Sequence, residues 1–104
     1  MDNARQERLA GRSLRPDGGY ILEIRSAASD GKLDAGYFNP NPIHVAHAEW
    51  RSRDGKLAML VELRDVNYPG STYRLLFDAG QDVLEGTYFQ AMEQQLFDVS
   101  FVRQ

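Results

Sequence analysis

The sequence predicts an all-β protein, an eight-stranded antiparallel up-and-down barrel. Apolar and polar residues alternate in almost every apolar stretch, and this period of two is typical of a strand with one buried face. Turn-forming residues interrupt these stretches about every 8 to 12 residues, the spacing of a meander. Closure of the sheet is expected because it removes free edges and because side chains just fill an eight-stranded interior. Strand periodicity alone leaves a β-sandwich open as the alternative fold.

The eight predicted strands follow one another with short connections. They are Arg8 to Arg15, Gly19 to Ala28, Lys32 to Phe38, Ile43 to Ser52, Lys56 to Asp65, Thr72 to Asp78, Asp82 to Gln90 and Gln95 to Arg103. Residues 1–7 are predicted to form a flexible N-terminal arm, and residues 8–104 a single barrel domain. The Gln, Ala, Met and Glu residues within Thr87 to Phe97 also permit a helical turn at that point.

Two Asp-Gly pairs predict tight hairpins and therefore a strand register. Pairing across Asp54-Gly55 places Trp50 opposite Met59 and Ala48 opposite Val61. Pairing across Asp30-Gly31 places Ile24 opposite Tyr37 and Ser26 opposite Ala35. When this alternation is extended along the chain, it predicts an inward face that consists of Leu9, Gly11, Ser13, Tyr20, Leu22, Ile24, Leu33, Ala35, Tyr37, His44, Ala46, Ala48, Trp50, Leu57, Met59, Val61, Leu63, Tyr73, Leu75, Phe77, Leu84, Gly86, Tyr88, Phe97, Val99 and Phe101.

The composition excludes several classes of protein. A chain of 104 residues with 42% hydrophobic and 26% charged residues fits one globular domain. A net charge of -3 without a basic run argues against nucleic-acid binding, and no segment approaches the ~20 apolar residues of a membrane helix. The chain has no cysteine, and His44 and His47 fall on opposite faces of a strand, so no metal or other cofactor is predicted. The sequence fits either a cytoplasmic protein or a periplasmic or secreted one whose signal peptide has been removed.

All five tyrosines are predicted to lie at one rim of the barrel. Alternate connections of a meander share a rim, and the tyrosines fall where the longer connections lie. Tyrosine combines an apolar ring with a hydroxyl that seeks a partner, which suits the mouth of a ligand pocket. It equally suits a wet barrel end where rings pack on the core, and the sequence leaves both interpretations open. The predicted ligand-binding residues at this rim are Ser13, Tyr20, Tyr37, His44, Asn67, Tyr68, Tyr73 and Tyr88.

These observations predict a non-enzymatic barrel that binds a small polar or aromatic ligand. No nucleophile with a matching base and no phosphate-binding loop can be assembled from the sequence. The alternative is a protein-interaction module, similar to a secreted inhibitor, that uses the rim loops or an apolar outer strand face. A contiguous outer patch would indicate such a partner or a homodimer. The apolar residues predicted to face outward are Ile21, Phe38, Ile43, Val45, Leu60, Leu76, Val83, Phe89, Leu96 and Val102.

Two sets of segments resemble known proteins. The first three strands, with Leu9-Ala10-Gly11-Arg12, Gly19-Tyr20-Ile21-Leu22-Glu23-Ile24 and Asp30-Gly31-Lys32-Leu33, resemble the opening of avidin-type and other calycin barrels, which implies a lipocalin-like or avidin-like fold. The remainder, notably Tyr37-Phe38-Asn39-Pro40, Leu63 to Ser71 and Phe97 to Phe101, resembles a bacterial family of small proteins without an assigned activity. Ser13 stands where the calycin Gly-x-Trp motif has tryptophan, and Trp50 is the only tryptophan, which argues against a biotin pocket.

Overall fold

The computed structural model describes residues 5–104 as a strand-rich fold with one short helical turn at its start. The elements are a 3₁₀ helix Gln6–Leu9, then β1 Gly11–Arg15, β2 Tyr20–Ala27, β3 Leu33–Phe38, β4 Pro42–Ile43, β5 Val45–Arg53, β6 Lys56–Asp65, β7 Tyr68–Asp78, β8 Val83–Gln90 and β9 Gln95–Arg103. Residues 1–4 of the predicted arm lie outside the described residues.

The strands form one antiparallel sheet that curls into a nearly closed barrel. The order is β4-β3-β2-β1-β9-β8-β7-β6-β5, so every strand except β4 and β5 has two neighbours. These two end strands lie at a seam that is bridged by Lys32 and Glu49 and by the Trp50 N–H, which donates to the Gly31 carbonyl at 2.8 Å. The prediction of an all-β antiparallel barrel is therefore confirmed, but the number of described strands is nine rather than eight.

The ninth strand arises because the predicted strand Ile43 to Ser52 is broken at His44. The His44 N–H donates to a carboxylate oxygen of Asp65 at 2.8 Å, and its carbonyl accepts from the Arg64 N–H at 3.1 Å. A bulge follows between Val45 and His47. It shifts the alternation by one residue, so Ile43 and Val45 pack against the core, and His44 and Ala46, which were predicted to face inward, are exposed.

The first predicted strand, Arg8 to Arg15, is also shorter than expected. Gln6–Leu9 is a 3₁₀ helix, and its Leu9 side chain is buried in the core. The Arg103 guanidinium holds this segment, because it donates to the carbonyl oxygens of Arg8 and Ala10 at 2.8 Å each. Its charge is paired with Asp82 at 3.1 Å.

One of the two predicted hairpin registers is correct. Asp54 and Gly55 both have positive φ, 52° and 81°, as a type I′ turn requires, and Trp50 lies opposite Met59. Asp30 is not among the residues with positive φ, and the Ala28 N–H instead donates to the Lys32 carbonyl across a wider turn.

The wider turn and a bulge in β2 shift the pairing of the first hairpin. Ile24 lies opposite Ala35 rather than Tyr37, and Ser26 lies opposite Asp34 rather than Ala35. Leu22 takes the position opposite Tyr37. Tyr37 and Ala35 each lie opposite a β2 residue two positions earlier than predicted. Because a shift by two residues preserves the alternation, the residues of these strands that were expected to face inward still do so.

The rim that carries the tyrosines is built by hairpins rather than by open loops. β6 and β7 are joined by the two-residue turn Val66-Asn67, so Tyr68 and Ser71 belong to β7. Gly70 has φ +97° at a bulge in this pair, and the segment Thr87 to Phe97 is strand, turn and strand without a helix. Phe97, which was predicted to face inward, is 43% exposed at the rim, two residues after β9 begins.

Candidate functional site

The five tyrosines form one connected cluster at the rim. The Tyr37 ring lies 6.0 Å from Tyr20, 6.4 Å from Tyr68 and 5.5 Å from Tyr73, measured between ring centroids. Tyr73 and Tyr88 stack at 4.3 Å. Tyr37 and Tyr73 are fully buried, Tyr88 is nearly so, and Tyr20 and Tyr68 are half-buried. The predicted gathering of all five rings at one end is thus what the structure shows.

Arg15 is the polar centre of this cluster. One guanidinium nitrogen, Nη1, donates to the Tyr73 hydroxyl at 2.8 Å, and the Tyr73 and Tyr37 hydroxyls share a hydrogen bond of 2.7 Å. The guanidinium carbon lies 4.4 Å from the centroid of the Tyr20 ring and 5.4 Å from that of Tyr88. This arrangement gives a buried pair of hydroxyls a charged donor and seats the cation between two aromatic faces.

The second edge of the Arg15 guanidinium binds a carboxylate of the same chain. Nε and Nη2 donate to the two oxygens of Asp17 at 2.6 and 3.2 Å. The Arg15 side chain is only 12% exposed, whereas that of Asp17 is 58% exposed. The planar fork of an arginine matches a carboxylate in this two-point geometry.

Burial and these contacts change the acidity of the cluster. Burial raises the pKa of Tyr37, and the neighbouring Tyr73 raises it further. Burial also raises the pKa of Tyr73, although the hydrogen bond with Tyr37 and the charge of Arg15 oppose the shift. Burial alone would lower the pKa of Arg15, but the contacts with Asp17 and Tyr73 raise it above its usual value. The hydrogen bond from Arg15 lowers the pKa of Asp17, so the pair of contacts favours the charged form of both side chains.

The sequence-based reasoning missed Arg15. It continues the alternation of Gly11 and Ser13 along β1, so one further step of the same pattern places its side chain inside the barrel mouth. The Asp17 carboxylate two residues later, in the β1–β2 turn, was the second available signal. Arg15 was passed over because a charged residue at a strand end is usually solvated.

The other predicted site residues have separate environments. Ser13 is 4% exposed within β1, while His44 is exposed at the break between β4 and β5. Asn67 lies in the β6–β7 turn with φ 69°. The Tyr68 hydroxyl accepts from the Asn39 side-chain amide at 2.9 Å, which ties two of the rim connections together. The predicted site thus divides into the tyrosine cluster around Arg15, the buried Ser13 of β1, and two polar residues, His44 and Asn67, in the neighbouring connections.

The buried Ser71 is a further rim residue that the sequence placed in a loop. Its hydroxyl accepts from the Ala91 N–H at 3.0 Å, so it links β7 to the β8–β9 turn. A cleft of about 650 Å³ lies at the seam between β3 and β5 and is lined by residues 30–35 and 45–51.

In residues 5–104, no group of three or more His, Asp or Glu side chains is arranged to hold a metal ion. Within the same range, no helix has the length and apolar character needed to cross a bilayer.

Comparisons of the chain with protein-family models, with curated proteins and with solved structures found no match.

Proposed function

We propose that the protein is a non-enzymatic, calycin-like barrel that binds a small carboxylate, an aromatic one by preference, at the tyrosine rim. The observation that carries the proposal is the orientation of Arg15, whose Nε and Nη2 edge already holds a carboxylate in two-point geometry. That carboxylate belongs to the exposed Asp17, which a ligand carboxylate can replace without any rearrangement of the guanidinium.

The aromatic side chains around Arg15 supply the second part of the site. Tyr20 and Tyr88 flank the guanidinium, and Tyr68 lies half-buried beside Tyr37. Phe97, which pairs with Tyr88 across β8 and β9, leaves part of its ring exposed at the same rim. An aromatic ring on the ligand would pack on these faces, where aromatic pairs add stability beyond the area that they bury.

The buried pair Tyr37 and Tyr73 forms the floor of the proposed site rather than its lining. Their hydroxyls are hydrogen-bonded to each other, and the Tyr73 hydroxyl accepts a hydrogen bond from Arg15. The two residues therefore position the guanidinium. The site is accordingly shallow, and the ligand lies above the two rings.

The test compares benzoate binding to the wild type and to Asp17→Asn, with the NMR chemical shifts of the Arg15 and tyrosine signals as the readout. The substitution removes the competing charge, and an exposed ion pair contributes up to about 1 kcal/mol, so we expect benzoate affinity to rise about three- to fivefold. The matched control is Asp34→Asn, which removes an ion pair of 3.1 Å with Arg25 in which both side chains are substantially exposed and leaves Arg25 its second pair, with Glu23 at 3.5 Å. An equal gain in the control, or no benzoate binding by either the wild type or Asp17→Asn, would refute the proposal.

A further inference from the structure

β9 has a long open edge next to the β1–β2 turn. It extends over Gln95–Arg103 and pairs with β8 from Gln95 to Val102. On its other side only Val102 and Arg103 pair with β1, opposite Leu14 and Ser13. β1 ends at Arg15, and the following Pro16 has no N–H to continue the ladder.

The direction of the backbone groups along this edge can be worked out from one hydrogen bond. The Gln104 N–H donates to the Arg12 carbonyl of β1 at 3.0 Å. Backbone groups alternate between the two sides of a strand, so Leu96, Asp98 and Ser100 direct their N–H and C=O groups away from β8. Within residues 5–104, no backbone hydrogen bond connects the β1–β2 turn to these three residues.

We propose that this edge of β9 accepts an extended, lysine- or arginine-rich segment of another protein as an added strand. Strand addition uses the free N–H and C=O groups for affinity and the side chains for specificity. The side chains beside the edge are acidic: a groove of about 550 Å³ along it is lined by Asp17, Glu85 and Asp98. Glu85 and Asp98 form no ion pair with the described part of the chain, so their charge is available to a cationic partner.

Apolar side chains give the same edge a second means of contact. Leu96 is 65% exposed and stands at the start of the free stretch. Leu96, Asp98 and Ser100 share one face of β9 because residues two apart in a strand do so, and Glu85 lies opposite Ser100 on that face. An added strand with alternating lysine and aliphatic residues would place its lysines on this face and its aliphatic residues on the other, beside Phe97, which is 43% exposed.

A second copy of the chain fits this edge less well. Antiparallel self-pairing about Asp98 places two Asp98 carboxylates directly opposite each other, and like charges in that position are destabilising. A charged residue in an edge strand is a known protection against self-association. The occupant that matches the charge is therefore a different, basic segment. This groove shares Asp17 with the carboxylate site at Arg15, but the free N–H and C=O groups of Leu96, Asp98 and Ser100 take no part in that site.

The experiment compares two nine-residue synthetic peptides of alternating valine and either lysine or glutamate. Hydrogen exchange of the backbone amides, followed by NMR, is the readout. In the free protein we expect the amides of Leu96, Asp98 and Ser100 to exchange fast and those of Val99 and Phe101 to be protected. The lysine peptide should slow the exchange of the first three amides and bind about tenfold more tightly than the glutamate peptide, as two reversed cross-strand charge pairs imply.

Two variants separate the backbone contribution from the charge. Asp98→Pro removes an N–H on the open side, where proline is tolerated in an edge strand, and should abolish binding of the lysine peptide. Its matched control, Asp98→Ala, keeps the N–H and should weaken binding only a few-fold. Benzoate binding serves as the readout for the other site and should be the same in both variants.

Three results would overturn the proposal. Protection of the Leu96, Asp98 and Ser100 amides in the free monomer would show that the edge is covered. Equal affinity for the two peptides would remove the role of the carboxylates. Protection that depends on protein concentration, with a dimer in sedimentation, would assign the edge to a second copy. The exchange pattern of the wild type decides the first point even if Asp98→Pro does not fold.

Discussion

Replacing Tyr73 by phenylalanine should destabilise the protein more than the same change at Tyr37. The Tyr73 hydroxyl has two partners, Arg15 at 2.8 Å and Tyr37 at 2.7 Å, whereas within residues 5–104 the Tyr37 hydroxyl has Tyr73 as its single partner. Tyr73→Phe removes both hydrogen bonds, about 1 kcal/mol each, and leaves the Tyr37 hydroxyl buried without a partner at a cost of roughly 1–3 kcal/mol. The expected loss is about 3 kcal/mol for Tyr73→Phe and about 1 kcal/mol for Tyr37→Phe.

The double variant provides the decisive measurement. When both hydroxyls are absent, no buried phenol lacks a partner, so the double variant should lose less than the sum of the two single losses, by about 1 kcal/mol or more. Urea unfolding at neutral pH, with equal slopes for all four proteins, gives the four free energies of unfolding. Equal losses for the two single variants, or additive losses in the double variant, would refute the hydrogen-bond network around Arg15.

Three further predictions test other parts of the structure. Burial raises the pKa of Tyr37 and Tyr73 above the usual value of about 10, so the unfolded chain loses these two protons first as the pH rises. The free energy of unfolding should therefore be full below about pH 10 and fall above it by roughly 1.4 kcal/mol per tyrosine per pH unit. Urea unfolding between pH 9 and 11 measures this fall, which should be smaller in the Tyr37→Phe and Tyr73→Phe double variant. Gly86→Ala places a Cβ against the backbone carbonyl of Arg74 and should lower the free energy of unfolding by about 1–3 kcal/mol. In the control Gly80→Ala the new Cβ lies 3.4 Å from an Asp78 carboxylate oxygen, so the loss should be smaller. Equal urea unfolding midpoints for the two variants would contradict this account. Arg103→Lys removes the guanidinium that donates to the carbonyl oxygens of Arg8 and Ala10. Amide hydrogen exchange in the Gln6–Leu9 helix should then accelerate about fivefold or more, as a loss of about 1 kcal/mol implies. Asp82→Asn keeps those two hydrogen bonds and should change the exchange rate less.

The parts of the fold that the sequence predicted correctly are those governed by local alternation. Trp50 and Met59 were paired correctly because a two-residue turn with two positive φ values admits a single register. The gathering of the five tyrosines followed from the alternation of connections between two rims, which holds for any meander whatever its small bulges.

The errors came from bulges, which a period-two pattern cannot reveal. His44 and Ala46 were placed inside because the alternation was carried through the break after Ile43. What decides the break is long-range: Asp65, on the next strand, accepts from the His44 backbone. The register of the first hairpin failed for a related reason, since Asp-Gly was read as a type I′ turn although Asp30 keeps an ordinary backbone conformation.

The candidate site shows the same division between local and long-range information. Its aromatic members were visible in the sequence, but the residue that organises them was not, because the importance of Arg15 depends on Tyr73, 58 positions away in the chain. Tyr73 fixes one nitrogen of the guanidinium, and the rings of Tyr20 and Tyr88 fix its plane. The edge that remains can then meet a carboxylate in only one orientation, which lowers the entropic cost of binding. The contact between Arg15 and Tyr73 would thus both stabilise the barrel end and orient Arg15 for the proposed ligand, and the tyrosine cluster does not have to be either core or binding site.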